Sequence, residues 1–145
     1  MFVSATHSLT DQHTLTMAFA AALDLDGTKY KVLHCSFALS RDIDPTGRPS
    51  SGVKGGTVSF EVEATDDVSL WSSLIDQFKR VKGSIIFKKD NEDSDMQKLE
   101  FEDAYVVQFA ENFDSVGGNP MTVSFTISAK TLTLNSEPFE NEWPA

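Results

Sequence analysis

The chain has 145 residues, a size suited to one domain with its own core. Hydrophobic content of 40% and aromatic content of 10%, including eleven Phe, exclude a disordered chain. The net charge is −10, and twelve Lys and Arg are spread thinly among twenty-two acids, so no basic face exists for nucleic acid or an anionic membrane.

Cys35 is the single cysteine, which excludes an intramolecular disulfide and a cysteine-rich zinc site and points to a reducing compartment. No Lys or Arg precedes Lys29, so the basic start of a signal peptide is missing. The apolar runs are too short for a membrane helix. Any exit from the cell is expected to avoid the general secretory route.

Residues 1–16 are polar and without period, and alternation begins just after Met17. We expect 1–16 to be an added extension or a disordered N-terminus, and 17–145 to be the domain. Ala18–Leu25 and Lys29–Ser40 read as a hairpin around Asp26-Gly27. In the second strand Lys31, Leu33, Cys35, Phe37 and Leu39 fall on one face, and Tyr30, Val32, His34, Ser36 and Ala38 on the other. Arg41–Gly56 follows, with four of the eight Gly and two of the five Pro, so neither helix nor central strand is expected there.

Thr57–Glu63 alternates as a strand. Thr65, Asp66 and Asp67 offer caps for a helix in which Val68, Trp71, Leu74, Ile75 and Phe78 recur at helical spacing. Lys79 and Arg80 suit its end. Strands resume at Val81–Lys88 and at Gln97–Phe109, the latter with Leu99, Phe101, Tyr105, Val107 and Phe109. Asn112–Pro120 reads as a loop. In Met121–Ala129 the odd positions point inward, and Thr122, Ser124, Thr126 and Ser128 outward. Thr131–Leu134 either continues this strand or forms a last one. The fold class is mainly β: an antiparallel β-barrel or sandwich with one packed α-helix.

Catalytic constellations are missing. His34 and Cys35 are neighbours on a strand and point to opposite faces, so they form no dyad. Asp90–Asp95 resembles half a calcium loop, but Asp95 stands where that loop needs Gly and Phe101 where it needs Glu. It reads as a solvated hairpin tip. Glu61 with Glu63, or Glu100 with Glu102, would be the carboxylates of a hydrolase, with no pocket to surround them. No metal or cofactor is expected. A second alternative is a monomeric β-barrel that binds a small apolar ligand in an open interior.

Arg41–Gly56 is long for a loop in a compact domain. It carries Arg41, Asp42, Asp44, Arg48 and Lys54 around two stiff prolines, a pattern suited to docking on another surface. By residue type alone, the Thr122/Ser124/Thr126/Ser128 face is an ordinary solvated one.

The run from Ser40 to Gly56 resembles the signature of the TssD (haemolysin-coregulated, Hcp-like) tube proteins of type VI secretion systems, closest to their divergent branch. The similarity continues through Gly83–Asp90, Asn119–Lys130 and Glu140–Pro144, and spans Met17 to the C-terminus. The resemblance implies a structural protein and no enzyme. Its fold would be an antiparallel β-barrel with one helix on its side. It also implies hexameric rings with a lumen, stacked into a tube inside a contractile sheath. Implied partners are other copies, the sheath, a spike protein and effector cargo. Assembly would be cytoplasmic, with export through the apparatus itself. The chain ends soon after Trp143, so no fused effector domain is expected. On this resemblance Arg41, Asp42, Asp44, Arg48, Pro49, Ser50, Ser51 and Lys54 are candidate contacts between subunits or rings. Thr122, Ser124, Thr126 and Ser128 become candidate lumen-facing residues.

Overall fold

The computed structural model describes residues 19–89, 95–118 and 121–143. The expected extension 1–16 and most of the acidic tip, 90–94, lie outside them. Seven strands and one helix follow in the order β1 (Phe19–Leu25), β2 (Thr28–Ser40), β3 (Lys54–Glu63), α1 (Ser69–Ile75), β4 (Val81–Lys89), β5 (Asp95–Phe113), β6 (Met121–Leu134) and β7 (Glu137–Glu140). All pairings are antiparallel, in the order β3-β2-β1-β4-β5-β6-β7. A further β3–β6 pairing closes six strands into a barrel. On that side of β6, β3 covers Thr122–Ser128 and β7 covers Thr131–Leu134.

The β1–β2 turn forms as its residues dictate. Asp26 (φ 48°) and Gly27 (φ 87°) both take the left-handed conformation that a two-residue hairpin favours. The Asp24 carboxylate accepts the Gly27 N–H at 2.9 Å. The β6–β7 turn repeats the device with Asn135 (φ 48°) and Ser136 (φ 82°). Thr131–Leu134 therefore continues β6, and β7 is an additional strand.

Two long strands depart from strict alternation. A bulge between Val32 and His34 changes the face of β2, so Tyr30 and Val32 turn inward together with Cys35 and Phe37. Lys31, Leu33, Cys35, Phe37 and Leu39 do not share one inward face. In β5 the face exchanges between Phe101 and Ala104, where Asp103 has φ 50°, so Ala104 and Val106 are buried and Val107 lies outside; a bulge between Val106 and Gln108 then returns Phe109 to the core side. Bulges of this kind let strands bend around a closed barrel. In β6 the expected alternation holds from Val123 to Ala129, but Met121 is exposed.

The barrel is filled. Phe60 stacks on Phe125 with ring centroids 4.9 Å apart, and Phe101 lies 6.3 Å from Phe60. Leu23, Ile85, Leu99, Ile127, Val58 and Val62 are fully buried around them. The open interior required by an apolar-ligand barrel is occupied by these side chains.

The helix is shorter than its periodicity predicts, with seven residues. Val68 is its N-cap and makes no side-chain cap bond. Asp67 instead accepts the Ser69 N–H at 2.7 Å and the Ser69 hydroxyl. At the other end the Asp76 carboxylate takes the Phe78 N–H at 3.0 Å, a local bond that competes with the next helical turn. The inward residues are Leu70 and Ser73, with Leu74 half-buried. Val68, Trp71, Ile75 and Phe78 are exposed, opposite to their expected orientation. Lys79 and Arg80 lie beyond the helix; the Arg80 guanidinium sits 5.4 Å from the Tyr105 ring centre and donates to its hydroxyl at 3.0 Å.

Candidate functional site

Residues 41–53 extend the β2–β3 hairpin as an arm built almost wholly from its own hydrogen bonds. Ile43 and Pro49 form an isolated antiparallel bridge. The Asp44 N–H donates to the Arg48 carbonyl at 2.8 Å, and the Ser50 N–H to the Asp42 carbonyl at 2.8 Å. At the turn, one Asp44 carboxylate oxygen accepts the Thr46 hydroxyl at 2.7 Å, the Thr46 N–H at 2.9 Å and the Arg48 N–H at 3.0 Å. The Thr46 and Arg48 bonds hold the Asp44 carboxyl below the usual carboxylate range.

At the root of the arm, Lys54 reaches Asp42 at 2.5 Å, which holds the Asp42 carboxyl low, and the Asp42 N–H donates to the Ser51 hydroxyl at 2.9 Å. Within the arm Asp44 and Ser51 are half-buried and every other residue is exposed, including Arg41, Arg48, Pro49, Ser50, Ile43 and Val53. The arm is thus a shaped protrusion rather than a slack loop. Arg41 and Arg48 point no side-chain bond at another described residue.

The hydroxyl-rich face lies on the outside of the β3–β6 pair. Thr122, Ser124, Thr126 and Ser128 are half-buried there, opposite Glu63, Glu61, Ser59 and Thr57. Ser59 and Thr126 hydroxyls are 3.1 Å apart, and Thr126 donates to Gln108 at 3.2 Å. A shallow depression of about 350 Å³ opens among His34, Ser59, Glu61, Gln108, Ser124 and Thr126. Glu63 is not among the residues that line this depression; it pairs with Lys31 at 3.5 Å and borders a different pocket. His34 is exposed, whereas Cys35 turns inward and burial pushes its thiol up to about 11.

Asn141 holds the root of the arm and was not legible as a functional position. Its side-chain amide donates to the Gly55 and Ala129 carbonyls, both at 3.0 Å. Gly56 stands beneath it at φ 100°, buried, where an added Cβ would meet the Asn141 amide and lie 2.7 Å from the Ala129 oxygen. The Gly55-Gly56 pair at a strand start was the signal available. Beyond the latch, Trp143 packs on Tyr105 with ring centroids 5.7 Å apart.

The family model for hemolysin coregulated protein Hcp (TssD) matches residues 17–144. The chain belongs to the Hcp (TssD) family. It is 36% identical to Hcp1 from Flavobacterium johnsoniae over 84% of this chain and 99% of that one, with a TM-score of 0.80. Hcp1 from Salmonella typhimurium shares the fold at 17% identity and a TM-score of 0.67, covering 81% of this chain and 86% of that one. A sheath/tube terminator of an extracellular contractile injection system does so at 12% identity and a TM-score of 0.58, covering 80% and 93%. No curated protein matches the chain. Hcp proteins are structural, non-enzymatic tube subunits that self-assemble within the type VI secretion apparatus and are secreted through it.

Proposed function

We propose that this Hcp-family chain forms hexameric rings that stack head to tail into the inner tube of a type VI secretion system. The arm 41–53 is the contact between copies, and the Thr122/Ser124/Thr126/Ser128 face lines a lumen that carries effectors. The contractile sheath surrounds the tube and a spike protein heads it. Assembly occurs in the cytoplasm and export follows through the same apparatus. Residues 17–145 act as the tube domain.

The observation that carries this reading is the arm. It is ordered by bonds within itself, yet it leaves Ile43, Val53, Arg41 and Arg48 in solvent. A preformed protrusion loses little entropy on docking. The hydroxyl face supports the second element, because small neutral groups hold water without gripping a passing protein.

Deleting Asp44–Ser51 tests the reading. The barrel core contains none of these residues, so the variant should melt as a folded domain and fail to form tubes in negative-stain images. Tubes of normal length and number from the deletion variant would sink it.

A further inference from the structure

The apolar stripe of α1 faces water. Val68, Trp71 and Ile75 are each more than half exposed, and Phe78, Phe113 and Val116 are more exposed still. Val68 and Trp71 border one pocket and Ile75 lies one helical turn beyond Trp71, an apolar patch of the kind that marks a contact site. Beside Trp71 the surface dips into a pocket of about 120 Å³. Leu70, Phe109 and Val123 give it an apolar wall, while Glu63, Asp67 and Glu111 bring carboxylates. Trp71 stands edge to face against Phe109, 5.6 Å between centroids.

The charges at this pocket are one-sided. Ser69 bonds hold the Asp67 carboxyl below the usual range, so it is ionised at neutral pH. Glu63 has Lys31 at 3.5 Å, and Glu111 has no cation among the described residues. An apolar throat with an acidic border fits a long aliphatic stem that ends in a cation. An indole alongside favours a guanidinium over an ammonium.

The arm presents such a side chain. Lys54 is engaged by Asp42 and Arg80 by Tyr105 and Asp103, but the Arg48 guanidinium has no partner among the described residues. Its backbone is fixed by the Asp44 carboxylate, so the side chain projects from a set position. Arm and root together carry Arg41, Arg48 and Lys54 against Asp42 and Asp44, a local excess of cations in an acidic chain.

The arm cannot reach the pocket of its own chain. Tyr30, which lines the pocket, lies near the start of β2, and the arm begins past Ser40 at its end. Ten residues of strand separate them by about 33 Å.

The geometry points to a head-to-tail contact in which Arg48 of one copy enters the Trp71 pocket of another. This rests on the tube reading and adds the surface that receives the arm. The two patches differ, so the contact is heterologous and repeats from copy to copy.

Proximity and charge test it separately. In a Cys35→Ser background, Ser50→Cys and Asp66→Cys place thiols beside Arg48 and the pocket without altering either. Mild oxidation of assembled protein should give a ladder of disulfide-linked copies, absent from either single-cysteine chain. Arg48→Glu should raise the protein concentration needed for assembly by about tenfold or more. Trp71→Ala should act in the same direction with unchanged circular dichroism, and Arg48→Glu combined with Glu111→Arg should recover assembly. If tubes are imaged but no ladder forms, or Arg48→Glu assembles like the parent, the Trp71 seat is wrong and the tube reading stands. If the parent chain forms neither rings nor tubes, both fall.

Discussion

Gly56 occupies a position that other residues fill only under strain. Its φ of 100° belongs to the region that L side chains avoid, and the Asn141 amide and Ala129 carbonyl take the space above its Cα. Gly56→Ala should destabilise the domain by about 2–3 kcal/mol in urea unfolding. Asn141→Ala frees two carbonyls at the same place and should cost about 1–3 kcal/mol. The double variant should lose less than the sum, because each change already disturbs the other's contact. At this scale the sequence was readable where one dipeptide suffices. Asp26-Gly27 carries its own turn geometry and formed it. Asn141 was not readable, because its two acceptors come from β6 and from the far end of the β2–β3 hairpin.

Elements were legible when their pattern was unbroken. The alternation of β6 named the inward Val123, Phe125, Ile127 and Ala129 correctly. It failed in β2, where a bulge inserts one residue and exchanges the faces, and in β5, where the exchange comes at Asp103 with its positive φ; neither leaves a mark in a hydropathy pattern. The helix failed for another reason. An apolar stripe at helical spacing names a face that prefers to be covered, and it does not say by what. Here Leu70 turns toward the barrel and the stripe turns away from it. Leu70→Ala should therefore cost about 2–4 kcal/mol in monomer unfolding, while Ile75→Ser should stay within about 0.5 kcal/mol. A large loss from Ile75→Ser in a dilute, unassembled sample would place the stripe in the core after all.

At the scale of the whole molecule, charge works against association. Each copy carries −10, and a hexamer brings six of them together. The Debye length falls from about 30 Å at 0.01 M salt to about 8 Å at 0.15 M. Tube formation, followed by light scattering, should therefore increase across that range. Pairs such as Arg48 with the pocket carboxylates act within a few ångströms and are screened less than the general repulsion. A flat response to salt would mean that short-range contacts dominate from the outset. The closure of the barrel was legible only as a choice between barrel and sandwich. It depends on β3 meeting β6 across some sixty residues, and nothing local encodes that meeting. The family signature in Ser40–Gly56 supplied what periodicity could not.

The packed interior around Phe60, Phe101 and Phe125 has a consequence for capacity. Among the described residues the barrel interior is filled, so each copy is a solid brick. In the proposed ring any hollow would belong to the wall that the bricks build, and its bore would follow from how many copies close a circle. Substitutions in the core should then make a brick firmer or weaker and leave that bore unchanged.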